Sequence, residues 1–169
     1  MKSTLQIQRT SFKALKTKCE NVEFGDPISL QKIGVELMNL LVGTSYHSLA
    51  INQCGLTYRI FCSRVNNTFT TYYNPELIDI QKGDKDEVYL VEGTEVCQNF
   101  PTMNYTVKRP AAIRVKYQDY MGNQRMTWLY NLPARFWLKG YDHTLGLTPY
   151  DRDNNTTTKL PEEHLYVKN

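Results

Sequence analysis

The chain predicts an α+β domain with segregated helices and mixed short strands. Three observations carry this: an apolar stripe at helical spacing in the first third, alternating segments through the middle, and a bulky helix near the end. Gly25-Asp26-Pro27 supplies a turn and a helix start. Leu30, Ile33, Leu37, Leu40 and Leu41 then fall on one face of a helix over residues 28 to 42, which Gly43 ends. Leu56 to Arg64 reads as a strand closed by Asn66-Asn67, and Phe69 to Tyr73 as a second strand that Asn74-Pro75 breaks. Residues 76 to 91 form a hairpin-like alternation around Lys82-Gly83-Asp84. A clearer hairpin sets Ile113, Val115 and Tyr117 against Arg125 to Trp128 across Met121-Gly122-Asn123. A helix from Pro133 to Thr144 follows, with proline in its first turn and Phe136, Trp137 and Tyr141 as its large members. From Asp151 the chain is polar, and Asn154 to Thr158 is too rich in Asn and Thr for a core element.

With 169 residues, 41% of them hydrophobic and 22% charged, the chain suits one compact domain, and no internal repeat divides it. A net charge of +3 with both signs interspersed forms no basic stripe to neutralise phosphates, so nucleic acid is not an expected partner. Lys2, Arg9, Lys13, Lys16 and Lys18 lead into no apolar run, so neither a signal peptide nor a membrane span is expected. Cys19, Cys54, Cys62 and Cys97 form no C-x-x-C pair and read as reduced thiols in a cytosolic setting.

The most informative stretch is Lys139-Gly140-Tyr141-Asp142-His143. Side chains four apart on a helix point the same way, so a His-x-x-x-His pair grips one metal while a glutamate beside the first histidine moves protons from bound water. Here Lys139 takes the first histidine's place and Gly140 the glutamate's. An ammonium has no lone pair to donate, and glycine cannot relay a proton.

This segment, after Leu132-Pro133-Ala134-Arg135, resembles the third signature of peptide deformylases, which remove the formyl group from nascent bacterial polypeptides with a divalent metal held by one cysteine and two histidines. Glu95-Val96-Cys97-Gln98-Asn99 resembles the second signature, and Tyr46-His47-Ser48-Leu49-Ala50-Ile51-Asn52-Gln53 the first. The steps from Cys97 to Arg109, Gly122 and Lys139 match family members without a gap. The resemblance implies mixed short antiparallel strands around a central helix bearing the former metal motif. It implies residues 1 to 14 as an extension, 15 to 152 as the deformylase-like domain and 153 to 169 as a polar tail.

By position, the resemblance makes Cys97 and His143 vestigial metal ligands with Lys139 at the third ligand position. Gln53 becomes the donor to the formyl oxyanion, and Gly140 the replacement of the acid/base glutamate. Alternatives for these residues are a buried thiol at Cys97, a core histidine at His143 and a buried amide at Gln53. Asp142 is expected to cap, or to pair with Lys139 or Arg135. With three protein ligands the usual catalytic set, no cofactor is expected. Tyr46 and Ser48 replace the family's specificity glycines and crowd the substrate approach. The resulting expectation is a catalytically inactive deformylase-fold protein that binds other proteins in an assembly. Its short tail and its twelve tyrosines suggest a bacteriophage virion subunit of tail or baseplate, found in the virion or host cytoplasm. The alternative is a divergent metal-dependent deformylase or amidase of formyl-Met peptides using zinc or iron. A third reading is a module holding an extended peptide in the groove near Gln53.

Overall fold

A computed structural model describes residues 4–9, 12–157 and 159–167, and the expectations that fall on residues 1–3, 10, 11, 158, 168 and 169 lie outside it. After a one-turn helix α1 (Phe12–Leu15), helix α2 runs Pro27–Leu41. Asp26 starts α2 by accepting hydrogen bonds from the Ile28 and Ser29 amides at 3.2 Å each, satisfying donors that have no partner inside the helix. Its buried face is Leu30, Gly34, Leu37 and Leu41, the predicted stripe with glycine at the closest approach. The Tyr73 hydroxyl occupies the space a side chain at Gly34 needs, and donates to the Leu30 carbonyl at 2.7 Å.

Five antiparallel strands form the main sheet in the order β1 (Ser48–Ala50), β2 (Ile60–Val65), β3 (Thr68–Ile80), β6 (Ala112–Gln118), β7 (Gln124–Tyr130). A separate hairpin joins β4 (Leu90–Cys97) to β5 (Phe100–Pro110). Helix α3 (Leu132–Thr144) and a last short helix α4 (Pro149–Arg152) complete the α-helices among the described residues, with 3-10 turns at Ile51–Cys54 and Glu162–His164. Successive strand residues face opposite sides. Ile60 and Cys62 of β2 accordingly pack with α2, whereas Phe61 packs with Tyr72, Ile113, Val115 and the α3 residues Ala134, Trp137 and Leu138. Helix α3 thus has the sheet on one side. Its other side meets the β4–β5 hairpin, where Arg135 reaches the Val91 and Val107 carbonyls.

The β6–β7 hairpin, α2 and α3 agree with the sequence reading. Two strand expectations need correction. Asn74-Pro75 does not break β3: Asn74 takes φ 47° and the ladder to β6 shifts register between Tyr73 and Glu76. A bulge at that point removes the need for a donor at Pro75, so the strand continues. Residues 76 to 80 therefore pair with β6 and Leu90 onward belongs to β4, so the hairpin-like turn around Lys82-Gly83-Asp84 shrinks to an antiparallel bridge between Lys82 and Val88, closed by the Gly83 amide donating to the Glu87 carbonyl at 2.8 Å.

Candidate active site

The hairpin turn at Cys97, the 3-10 turn Ile51–Cys54 and the buried face of α3 bring three sequence-predicted residues together. Gln53, Cys97 and His143 are each no more than 1% exposed. The Cys97 Sγ lies 3.8 Å from His143 Nε2 and 3.7 Å from Gln53 Nε2. Gln53 is held in place because its Oε1 accepts from the Ala50 amide at 3.0 Å. Its Nε2 also reaches Gln98 Oε1 and Asn99 Oδ1, both at 2.9 Å. Two hydrogens face three acceptors, so this amide is a shared donor rather than a closed pair. Gln98 and Asn99, which the sequence marks only as part of a signature, therefore complete the floor of the site.

Burial holds the site neutral. Desolvation pushes the Cys97 thiol up, opposed by the Asn99 backbone and by the Lys139 charge. Desolvation first, then the Lys139 charge, pulls His143 down to about 3, so its imidazole is uncharged near neutral pH. Among the described residues no hydrogen-bond partner meets its buried Nδ1. Lys139, one turn earlier and 8% exposed, is drawn down by burial against the opposing pull of Glu95 and Cys97.

Lys139 also lines an open cleft of about 330 Å³ together with Tyr46, His47, Glu95, Val96 and Phe136. The His47 and Phe136 rings stack at 4.1 Å and 5° to form one wall. Tyr46 lies across from Lys139, whose Nζ is 5.8 Å from the ring centroid. Gly140 faces away from this cleft, into the core. A Cβ there would collide with the Phe61 ring, so the space of a residue-140 side chain is already filled.

Asp142 pairs with neither Lys139 nor Arg135, which corrects the expectation for it. It accepts from Arg109 Nη1 at 2.5 Å and from Arg152 Nε and Nη2 at 2.8 and 2.6 Å. Burial opposes its ionisation, but the Arg152 and Arg109 guanidiniums outweigh that and hold it at about 2. Arg109 in turn grips Glu95 with two bonds of 2.7 and 2.8 Å, and Arg135 adds a third to Glu95 at 2.8 Å. Every charge in this buried set has a hydrogen-bonded opposite, the condition under which such a set is tolerated. The sequence offers Arg109 only as a spacing marker. The signal available is a charge inside the alternating strand Val107–Pro110.

The donors present do not fit a resident catalytic metal. Two of them, Cys97 and His143, converge, while the third position carries an amine on a flexible stem. Among the described residues no group of three or more His, Cys, Asp or Glu side chains is placed to hold an ion, against the three protein ligands a catalytic site normally uses.

A family model described as polypeptide deformylase matches residues 4–159. The peptide deformylase of Thermotoga maritima is 30% identical over 142 residues, 76% of this chain and 83% of the relative. That of Thermoanaerobacter pseudethanolicus is 31% identical over 104 residues, 62% of this chain and 61% of the relative. The crystal structure of the Thermotoga maritima peptide deformylase superposes with a TM-score of 0.78 at 26% identity, covering 89% of this chain and 97% of that one. The peptide deformylase of Thermus thermophilus superposes with a TM-score of 0.73 at 27% identity, covering 89% and 81%. These findings overturn the expectation of an inactive virion scaffold. The relatives are named for an enzyme, and the fold keeps an open cleft lined by Lys139, one of the residues that the resemblance singles out, which favours the enzymatic alternative.

Proposed function

The chain belongs to the peptide deformylase family, and from that premise we propose that it is a divergent member that hydrolyses the formyl group from formyl-Met peptides. The observation that carries this reading is the meeting of Gln53, Cys97 and His143 within 3.8 Å beside an open cleft. An apolar wall of Phe136, Val96 and Pro101 suits a methionine side chain, and the few polar groups among it suit the peptide's main chain. Gln53, locked through its Oε1, turns its amide hydrogens toward Gln98 Oε1, Asn99 Oδ1 and Cys97 Sγ, and a formyl oxygen entering there would take one of them over as its charge grows.

The divergence lies in how protons move. Lys139 and Gly140 stand where the family motif has histidine and glutamate, and Phe61 fills the space beside Gly140. Proton transfer therefore falls to groups other than residue 140. His143 is uncharged, with its Nε2 3.8 Å from the thiol, and Lys139 lines the cleft one turn earlier.

Incubating the full chain with a formyl-Met peptide and following formate and the freed α-amino group tests the reading. Equimolar release of both, with repeated turnover, is expected. No release at any peptide concentration contradicts it.

A further inference from the structure

The two edges of the five-stranded sheet are treated differently. At one edge β1 is three residues long and buried, its Ser48 carbonyl accepting from Gln98 and its Ala50 amide donating to Gln53. At the other edge β7 runs seven residues, most of them exposed. The Asp119 amide donates to the Asn123 carbonyl at one end of the β6–β7 hairpin, and the Asn131 amide to the Ala111 carbonyl at the other. By the alternation of an antiparallel ladder, Arg125, Thr127 and Leu129 bond to β6, while Gln124, Met126, Trp128 and Tyr130 turn their N–H and C=O groups outward. Among the described residues the only partner of these outward groups is the Thr127 hydroxyl, which donates to the Trp128 carbonyl at 3.3 Å and leaves it a second lone pair.

We infer that β7 is the contact through which two copies of this chain pair, strand against strand and antiparallel, about a two-fold axis at Thr127.

The strand lacks the guards that keep native edges apart. Lysine, proline and bulges serve that purpose, and β7 has no lysine or proline and no shift in its ladder to β6, unlike β3 and β4. Its one charge, Arg125, is tied to Asp119 at 3.3 Å. The side chains at this edge are apolar and open: Met126 and Tyr130 are 50% and 53% exposed, and Trp128 stacks beside Tyr130 with ring centroids 6.3 Å apart. Exposed Met121 and Leu132 flank the strand's two ends.

Symmetry selects a second copy as the occupant. The four outward residues are centred on Thr127, so a second β7 running the other way meets every outward group with another, Gln124 with Tyr130 and Met126 with Trp128. Thr127 then faces Thr127, a favourable cross-strand pair, and Arg125 lies opposite Leu129, so no like charges meet. The basic residues next inward, Arg114 and Lys116 on β6, are already opposed by Asp79 and Glu76 on β3. At each end Leu132 of one copy approaches Met121 of the other. Pairing consumes the open edge of the main sheet in each copy, so it stops at two.

Sedimentation of the full chain at rising concentration tests this. The mass should climb from 19.7 kDa toward twice that value and no further. Thr127 is exposed and on the axis, which makes it the diagnostic position. Thr127→Lys and Thr127→Glu should each stay at the mass of one chain, because each sets like charges face to face, and an equimolar mixture of the two should regain the doubled mass. Hydrogen exchange on the unaltered chain needs no variant: the amides of Gln124, Met126, Trp128 and Tyr130 should exchange slowly when concentrated and fast on dilution, while those of Arg125, Thr127 and Leu129 stay slow throughout. A single-chain mass at every concentration overturns the pairing. So do a doubled mass that both variants keep, a mixture that remains at the mass of one chain, and outward amides that exchange alike at all concentrations.

Discussion

At the scale of single residues, His143 has the clearest measurable consequence. Its imidazole is held at about 3 in the folded chain, against 6.5 as the ordinary value. A base depressed on folding binds fewer protons in the native state than in the unfolded one. Stability from this group is therefore intact above about pH 6.5 and falls as pH drops toward 3. Near pH 5 the loss amounts to about 2 kcal/mol, at 1.36 kcal/mol per unit. Urea unfolding across this range should show a slope that His143→Gln removes; a variant with the same slope would assign it elsewhere. Asp142, at about 2, acts lower. Its contribution is present above its ordinary 3.8 and is lost as pH falls from there through 2.

Single residues are also where the sequence is most legible. Gln53, Cys97 and His143 follow from motif position, and the fold sets them within one cluster. Glu95 and Arg109 escape because a buried charge looks in sequence like any strand charge until its opposite is placed beside it, and those opposites are distant along the chain. Gly140 reads in sequence as a missing base. Its packing against Phe61 is invisible there, since nothing local ties a β2 residue to α3.

Among elements, the joint between β2 and α3 is tight where Gly140 meets Phe61. Replacing an internal helix glycine by alanine normally gains about 1 kcal/mol. Here the added methyl meets the aromatic ring, and overpacking costs about 1–3 kcal/mol. Gly140→Ala should therefore lower stability in denaturant titration, and Phe61→Leu in the same chain should recover part of the loss instead of adding to it. Additive losses would show that the two sites do not share this space. Elements with local punctuation are the legible ones: α2 and α3 announce themselves by proline at the first turn and β6–β7 by its glycine turn. The sequence cuts β3 short because proline argues against a central strand in general, and the bulge that accommodates it depends on β6. The β4–β5 hairpin goes unseen although Thr102 to Val107 is rich in strand formers, because its tight turn at Gln98-Asn99 carries no glycine.

The whole molecule is fastened by its end. Tyr166 lies far in sequence from the hairpin and helix it secures. Its hydroxyl accepts from Arg109 Nη1 at 2.6 Å, its ring lies 4.2 Å from the Arg152 guanidinium, and the His164 carbonyl accepts from Arg152 at 2.6 Å. The polar tail thus closes the ion network that links β4, β5, α3 and α4. Hydrogen bonds to charged groups contribute about 1.5–3 kcal/mol, so Tyr166→Phe should cost about that much in thermal or urea unfolding. An unchanged midpoint would mean that the tail merely rests on the network. Composition alone marks this segment as polar and gives no hint of a tyrosine anchored in buried charge.

The most direct measurement is formate release from a formyl-Met peptide by the full, unaltered chain. Stoichiometric formate and free amine over many turnovers are predicted, from a cleft lined by Lys139 and Val96, the chain neighbour of Cys97 in the buried cluster with Gln53 and His143. Intact formyl peptide after prolonged incubation with folded protein would contradict the account.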